Sequence, residues 1–141
     1  MFDTLRRWIK DLHKFPEAQM AEFRAEELLF IDEWIKAKLT YLNFKAPGKR
    51  FLRKTIWFKS NLVVTKTRVF ATAYTKLSIN VPYTDERFNR MKFSVDGDRL
   101  LVSFDAGLFQ PTWSGTLEYR FLVENPLKVV GLIEGAATTN G

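Results

Sequence analysis

The spacing of apolar residues changes near Thr40, and this change constrains the fold more than any other feature of the sequence. Before Thr40, apolar residues recur at the period of an amphipathic helix. After Thr40 they alternate with polar residues, which is typical of strands with one buried face. The alternation predicts seven strands, over residues 41–44, 51–65, 68–74, 77–81, 91–95, 100–104 and 117–121. The expected fold is α+β and mainly β, with a single antiparallel strand region between terminal helices.

Two local signals lie within and after this strand region. Asp96-Gly97-Asp98 separates two alternating stretches, and because glycine accepts the positive φ of tight turns, it predicts a β-hairpin. Asn125-Pro126 offers an N-cap followed by a first-turn proline, which predicts a helix from Pro126 to Glu134 that ends at Gly135. The strand domain is therefore expected to span residues 40–135, and the small polar residues 136–141 are expected to form a flexible tail.

The first 39 residues are predicted to form a separate helical segment of two helices, divided at Phe15-Pro16. The second of these helices is expected to run from Glu17 to Lys38. The first helix presents one apolar face, made of Phe2, Leu5, Trp8, Ile9 and Leu12. Basic residues occupy its other side, so this face can pack on the domain, on a second copy of the chain in a homo-oligomer, or on a membrane.

Composition excludes several classes of site. The chain has no cysteine, which excludes disulfides, cysteine-ligated zinc and thiol catalysis. Its single histidine, His13, excludes a histidine-rich metal site. No paired acid and base groups and no nucleophile with its base are discernible, so the sequence predicts a protein that is not an enzyme.

The expected location follows from the apolar stretches and the lack of cysteine. No uncharged run is long and apolar enough to cross a bilayer, and the N-terminus alternates apolar and charged residues, unlike a signal peptide. The absence of cysteine is compatible with a reducing compartment. We therefore expect a cytoplasmic protein that can associate peripherally with a membrane.

Charge is distributed unevenly along the chain. Residues 36–92 contain fourteen Lys and Arg residues against two acids, whereas the remainder contains eight basic and fourteen acidic residues. This segregation predicts one strongly positive face, suited to the phosphates of lipid headgroups or of nucleic acid.

Two short motifs resemble those of bacterial pleckstrin-homology (PH)-like domains. They are Thr65-Lys66-Thr67-Arg68, between two predicted strands, and Val81-Pro82-Tyr83, which leads into the next hairpin. The resemblance covers about residues 40–135. It implies a partly open barrel made from two nearly orthogonal antiparallel sheets, with the last helix plugging one end. It also implies a binding or scaffolding module that uses no cofactor.

In phosphoinositide-binding relatives of the wider PH superfamily, the loop between the first two strands is basic and holds phosphate. The corresponding segment here carries five cations, Lys45, Lys49, Arg50, Arg53 and Lys54, on either side of a Pro-Gly turn. The resemblance implies that these residues bind an anion or headgroup, because Lys and Arg supply charge-assisted donors to phosphate oxygens. Arg50 and Arg53 depart from the superfamily spacing, and residues three apart on a regular strand face opposite sides.

Three kinds of partner are compatible with such a domain. The first is a protein partner or an anionic membrane surface that meets the basic face. The second is a small apolar ligand inside a lipocalin-like barrel, which would need an eighth strand at residues 127–134. The third is nucleic acid, against which the sequence argues, because Trp57 is the one aromatic residue that its stretch directs outward, beside Lys59.

Overall fold

The computed structural model describes residues 15–140. The helices are α1 (Glu17–Ala25) and α2 (Pro126–Asn140), with 3₁₀ turns at Glu86–Arg90 and Ala106–Leu108. The strands are β1 (Leu28–Ala46), β2 (Lys49–Thr65), β3 (Arg68–Ala73), β4 (Lys76–Pro82), β5 (Lys92–Asp96), β6 (Arg99–Asp105) and β7 (Ser114–Leu122). The predicted first helix, with Phe2, Leu5, Trp8, Ile9 and Leu12, lies outside the described residues.

The strands form one antiparallel sheet in the order β4-β3-β2-β1-β7-β6-β5. Because β4 and β5 lie at opposite ends of that order and do not pair, the sheet is not closed. The prediction of a mainly β fold with seven antiparallel strands and a C-terminal helix is therefore confirmed.

The predicted helix from Glu17 to Lys38 is wrong in its second half. The helix ends at Ala25, Glu27 adopts a φ of 63°, and β1 begins at Leu28. The pairing of β1 with β2 is irregular between Leu28 and Phe30 and again between Asp32 and Ile35. Such bulges insert extra residues into the alternation, so apolar side chains on a strand acquire helix-like spacing. The expected boundary between the helical segment and the strand domain, at residues 39 and 40, therefore falls inside β1.

The local turn and cap signals are confirmed. Asp96 pairs with Arg99 across a turn in which Gly97 has a φ of 62°. At the start of α2, the side-chain oxygen of Asn125 accepts a hydrogen bond from the Lys128 amide at 3.2 Å. The helix does not end at Gly135 but continues to Asn140, and Ala136 is buried in the core. Residues 127–134 are helical, so no eighth strand forms there.

One face of the sheet curls around α2 to enclose the main core. Val129, Val130 and Ile133 of α2 pack in the same cluster as buried residues of β1, β2, β3, β4, β6 and β7. The ring of Tyr119 on β7 stacks on Phe104 at 6.0 Å. Buried residues of β4 and β6, which lie in opposite halves of the strand order, belong to the same cluster. The curvature therefore brings distant strands together, and the core fills the space between them.

The opposite face of β2 and β3 is covered by α1. Phe23 of α1 is completely buried against Val63 and Phe70, and its ring meets that of Phe70 at 5.2 Å. This helix therefore shields a patch of the sheet that the main core does not reach.

A polar network fastens α1 to the β2–β3 turn. The Glu26 carboxylate accepts hydrogen bonds from the Thr65 hydroxyl at 3.1 Å, the Thr67 hydroxyl at 2.6 Å and the Arg68 Nε at 2.9 Å. The Tyr83 hydroxyl donates to the Thr65 carbonyl at 2.8 Å, and burial raises the pKa of Tyr83. The two motifs that resemble PH-like domains thus meet at one structural joint.

The network makes stability sensitive to acid. Burial alone would raise the pKa of Glu26, but the hydrogen bonds from Thr67, Arg68 and Thr65 outweigh it and hold this pKa below its ordinary value of 4.5. A carboxylate with a depressed folded-state pKa contributes stability that is present above the unfolded-state pKa and lost as pH falls through the folded one. We expect the difference in unfolding free energy between the native chain and Glu26→Gln to be constant near neutral pH and to shrink below about pH 4.5. Urea denaturation of both proteins across this pH range measures the difference. A difference that does not change with pH would show that the Glu26 carboxylate does not stabilise the fold through this network.

Candidate functional site

The five candidate cations lie on a β-hairpin and not on an open loop. The pairing of β1 with β2 runs from Tyr41 opposite Lys54 to Ala46 opposite Lys49 and is interrupted once, at Asn43. The chain reverses through Pro47 and Gly48, where Gly48 has a φ of 76°. Glycine reaches that conformation without steric cost. The cations are therefore held on paired strands on either side of a tight turn.

The outer edge of this hairpin is open. The ladder of β3 with β2 runs only from Leu62 to Val64, and within residues 15–140 β1 is the only strand that pairs with β2 between Lys49 and Phe58. Charged side chains along such an edge discourage pairing with other chains. The β2 side of the hairpin is accordingly an open, charged edge of the sheet.

The structure places the five cations on different parts of the hairpin. All five are exposed, and none takes part in the ion pairs found among the described residues. Lys49 and Lys54 line one pocket, whereas Lys45 and Arg50 line a smaller one beside Ser114. Arg53 lines neither of them. The five residues therefore do not converge on a single point.

The larger pocket, of about 260 Å³, has aromatic walls. The Tyr41 ring meets the edge of Phe44 at 4.8 Å, Phe44 stacks on Phe51 at 5.8 Å, and Trp113 meets Phe44 at 5.2 Å. Lys54 Nζ lies 4.4 Å from the centre of the Phe51 ring, within the range of a cation–π interaction. Burial raises the pKa of Tyr41. We call this feature the aromatic pocket; Ala46, Pro47, Lys49 and Ile56 complete its lining.

An irregularity in β1 creates the aromatic pocket. Asn43 has a φ of 48°, and the register of β1 with β7 shifts between Leu42 and Lys45. Tyr41 and Phe44 are three residues apart, yet both line the pocket, which a regular strand would not allow. Gly115 packs directly against this irregularity, since a Cβ added to Gly115 would stand 2.5 Å from the Asn43 carbonyl oxygen.

The sequence patterns did not predict that Tyr41, Phe44, Phe51 and Trp113 line one pocket. Tyr41 and Phe44 fall in one predicted strand and Phe51 in the next, whereas Trp113 lies between two predicted strands. The missed signal is the run of aromatic residues close to the cations, with Tyr41 and Phe44 before the turn and Phe51 after it.

Exposed apolar side chains flank the cations. Leu52 is 83% exposed, between the neighbouring residues Phe51 and Arg53. Trp57 is 59% exposed, with Lys38 Nζ 5.0 Å and the Arg99 guanidinium 5.3 Å from its ring centre. Trp57 thus points away from the main core, as the alternation predicts.

Three further observations bear on the site. Residues 15–140 contain no group of three His, Cys, Asp or Glu side chains placed to hold a metal ion. None of the helices described is long and apolar enough to cross a membrane. Comparison of the sequence with protein-family models and with curated proteins gave no match.

Proposed function

We propose that the protein is a non-enzymatic, PH-like binding module whose first hairpin docks on an anionic membrane surface. The observation that carries this proposal is the hairpin tip, where Lys49, Arg50, Arg53 and Lys54 are all exposed and lie within three residues of the exposed Leu52 in sequence. Lys and Arg can extend their charged ends toward lipid phosphates while an apolar side chain enters the interface. In this proposal the protein is cytoplasmic and associates with the membrane peripherally.

A membrane fits this tip better than a protein partner does. The centre of a protein interface is depleted in charged residues, and in Lys in particular. Here four exposed cations without acidic partners among the described residues lie close in sequence to a single exposed leucine. That arrangement matches the boundary between headgroups and acyl chains, where cations and apolar groups are stabilised at different depths.

Two structural features support the PH-like assignment. The buried side of the C-terminal helix α2 packs into the core of the open sheet, and the resemblance implies a last helix that plugs one end of a barrel. The residues of the two resembling motifs also contact each other, since the Tyr83 hydroxyl bonds the carbonyls of Thr65 and Arg68. The lipocalin-like alternative has no comparable support, because α2 and large side chains such as Phe121 fill the interior.

Replacing Lys49, Arg50, Arg53 and Lys54 by Ala should weaken partitioning onto anionic vesicles about a hundredfold at low salt. Each Lys or Arg near an acidic bilayer contributes about 1 kcal/mol. Because the cations point to different parts of the hairpin, we expect about three to act at once, and about 3 kcal/mol corresponds to roughly a hundredfold. Co-sedimentation with vesicles of phosphatidylcholine, with and without phosphatidylglycerol, measures the effect. Salt should release the native chain.

The matched control replaces Lys76, Arg90, Lys92 and Lys128 by Ala. These four exposed residues lie away from the hairpin, and the variant loses the same charge. It should bind nearly as well as the native chain. Equal loss in both variants would show that net charge acts without a specific site, and equal binding by the native chain and the hairpin variant would refute the proposal. Loss of binding only on deletion of residues 1–15 would transfer the role to that segment.

A further inference from the structure

We propose that the aromatic pocket binds an amphiphile with a single negative charge, its carboxylate or phosphate held by Lys49 and Lys54 and its chain lying against the aromatic walls. The inference rests on the proposed function, because the pocket lies at the hairpin tip that would meet the membrane. It goes further by assigning a ligand class and a binding site to one side of that hairpin.

The walls of the pocket are held by the sheet. Tyr41 and Phe44 project from β1 and Phe51 from β2. Phe44 is only 2% exposed, and it contacts the rings of Tyr41, Phe51 and Trp113. A pocket whose walls already pack on one another requires little ordering when a ligand enters.

The charge at the rim selects the sign of the ligand. Among the described residues that line the pocket, only Tyr41, Lys49 and Lys54 are ionisable, and none carries a carboxylate. Lys54 Nζ is also held over the Phe51 ring at 4.4 Å, which places an ammonium group beside an apolar surface. An anionic group at the rim would gain charge-assisted hydrogen bonds, whereas a cationic amphiphile would be repelled.

The shape of the pocket favours a flexible chain over a flat ring. Phe44 and Phe51 are nearly parallel, with an interplanar angle of 14° and ring centres 5.8 Å apart. They therefore contact each other and leave no slot for a third ring between them. The volume of about 260 Å³ is slightly below that of typical small-molecule sites. It suits a short alkyl chain with its charged group, or the part of a membrane lipid nearest its headgroup.

Decanoate, kept below its micelle concentration, tests the inference by calorimetric titration of the full chain. The native chain should bind decanoate and should not bind decyltrimethylammonium, which has the same chain length and the opposite charge. Replacing both Lys49 and Lys54 by Met should weaken decanoate binding about a hundredfold, since two charge-assisted hydrogen bonds are removed. Replacing Lys45 and Arg53 by Met removes two hairpin cations outside the pocket and should leave the affinity almost unchanged.

Amide chemical shifts locate the ligand independently of affinity. Binding should shift the signals of Tyr41, Phe51 and Trp113. Shifts centred instead on the groove between β5 and α2, at Phe93 and Ile133, would overturn the inference. So would equal binding of the two amphiphiles of opposite charge, or equal affinity of both double variants.

Vesicle binding distinguishes this inference from the proposed function. A native chain that binds anionic vesicles but not decanoate would overturn the inference and leave the proposed function standing. A chain that binds decanoate but not vesicles would support the pocket with a free amphiphile as ligand and refute membrane docking. If decanoate displaces the chain from vesicles, the pocket takes its ligand from the bilayer.

Discussion

Replacing Arg68 by Ala should lower the free energy of unfolding by about 3 kcal/mol, the low end of the cost of removing one partner of a buried ion pair, because both partners here are partly exposed. The Arg68 side chain is 14% exposed. Its Nε and Nη2 each donate to Glu26 at 2.9 Å, and Nη1 donates to Asn80 at 3.1 Å. The guanidinium also lies 5.4 Å from the ring centres of both Phe23 and Phe70. Its loss would leave the Glu26 carboxylate without its charged donor and would loosen α1.

The matched control for this prediction is Arg24→Ala. Arg24 pairs with Glu17 at 2.9 Å, but the two side chains are 58% and 82% exposed. An exposed pair of this kind contributes about 0–1 kcal/mol. Urea denaturation of both variants at neutral pH measures the difference. Equally small losses would mean that the Glu26 network does not stabilise the joint between α1 and the sheet.

A double replacement separates the effect of losing the ion pair from the effect of losing the side-chain volume. The double variant Arg68→Met, Glu26→Met removes both charges of the pair, so neither is left unpaired. The two methionine side chains fill a volume similar to that of the original side chains. We expect the double variant to be more stable than Arg68→Ala, because hydrophobic replacement of a buried pair is often neutral. A double variant that is the less stable of the two would show that the hydrogen bonds from Thr65 and Thr67 matter more than the unpaired charge.

Replacing Gly115 by Ala should destabilise the fold by about 4 kcal/mol, combining backbone strain with overpacking. Gly115 has a φ of 104°, and an added Cβ would lie 2.5 Å from the Asn43 oxygen and 2.7 Å from the Leu42 oxygen. Both oxygens belong to the backbone of β1, so neither can move aside without disturbing the sheet. Thermal or urea unfolding measures the loss.

Gly131→Ala is the control for Gly115. Gly131 is exposed within α2, and nothing lies within 4 Å of the position that its Cβ would occupy. An alanine there should stabilise the chain by up to about 1 kcal/mol, because glycine costs helical stability. A Gly115→Ala variant as stable as the native chain would show that β1 and β7 can separate locally, and the position of Trp113 would then not depend on this contact.

The elements that depend on neighbouring residues are predicted correctly from local signals in the sequence. Apolar and polar residues alternate over residues 51–65 and 117–121 because the two faces of a strand meet different surroundings. The observed strands Lys49–Thr65 and Ser114–Leu122 contain these ranges. Gly97 permits the positive φ of its turn, and Asn125 caps the helix that follows it. Each of these signals works over a few residues, because backbone conformation and local hydrogen bonding act at that range.

The course of residues 28–39 and the composition of the site depend on contacts between distant parts of the chain, which local sequence patterns do not reveal. Bulges near Leu28 and Trp34 gave β1 the apolar spacing of a helix, and its pairing with β2 outweighed that local preference. Trp113 is far from Tyr41 and Phe44 in sequence, and it reaches them because β7 pairs with β1. The same strand geometry places Lys49 and Lys54 on a different pocket from Lys45 and Arg50. Which side chains meet was set by strand register and by the approach of Gly115 to β1, since both depend on residues distant in sequence.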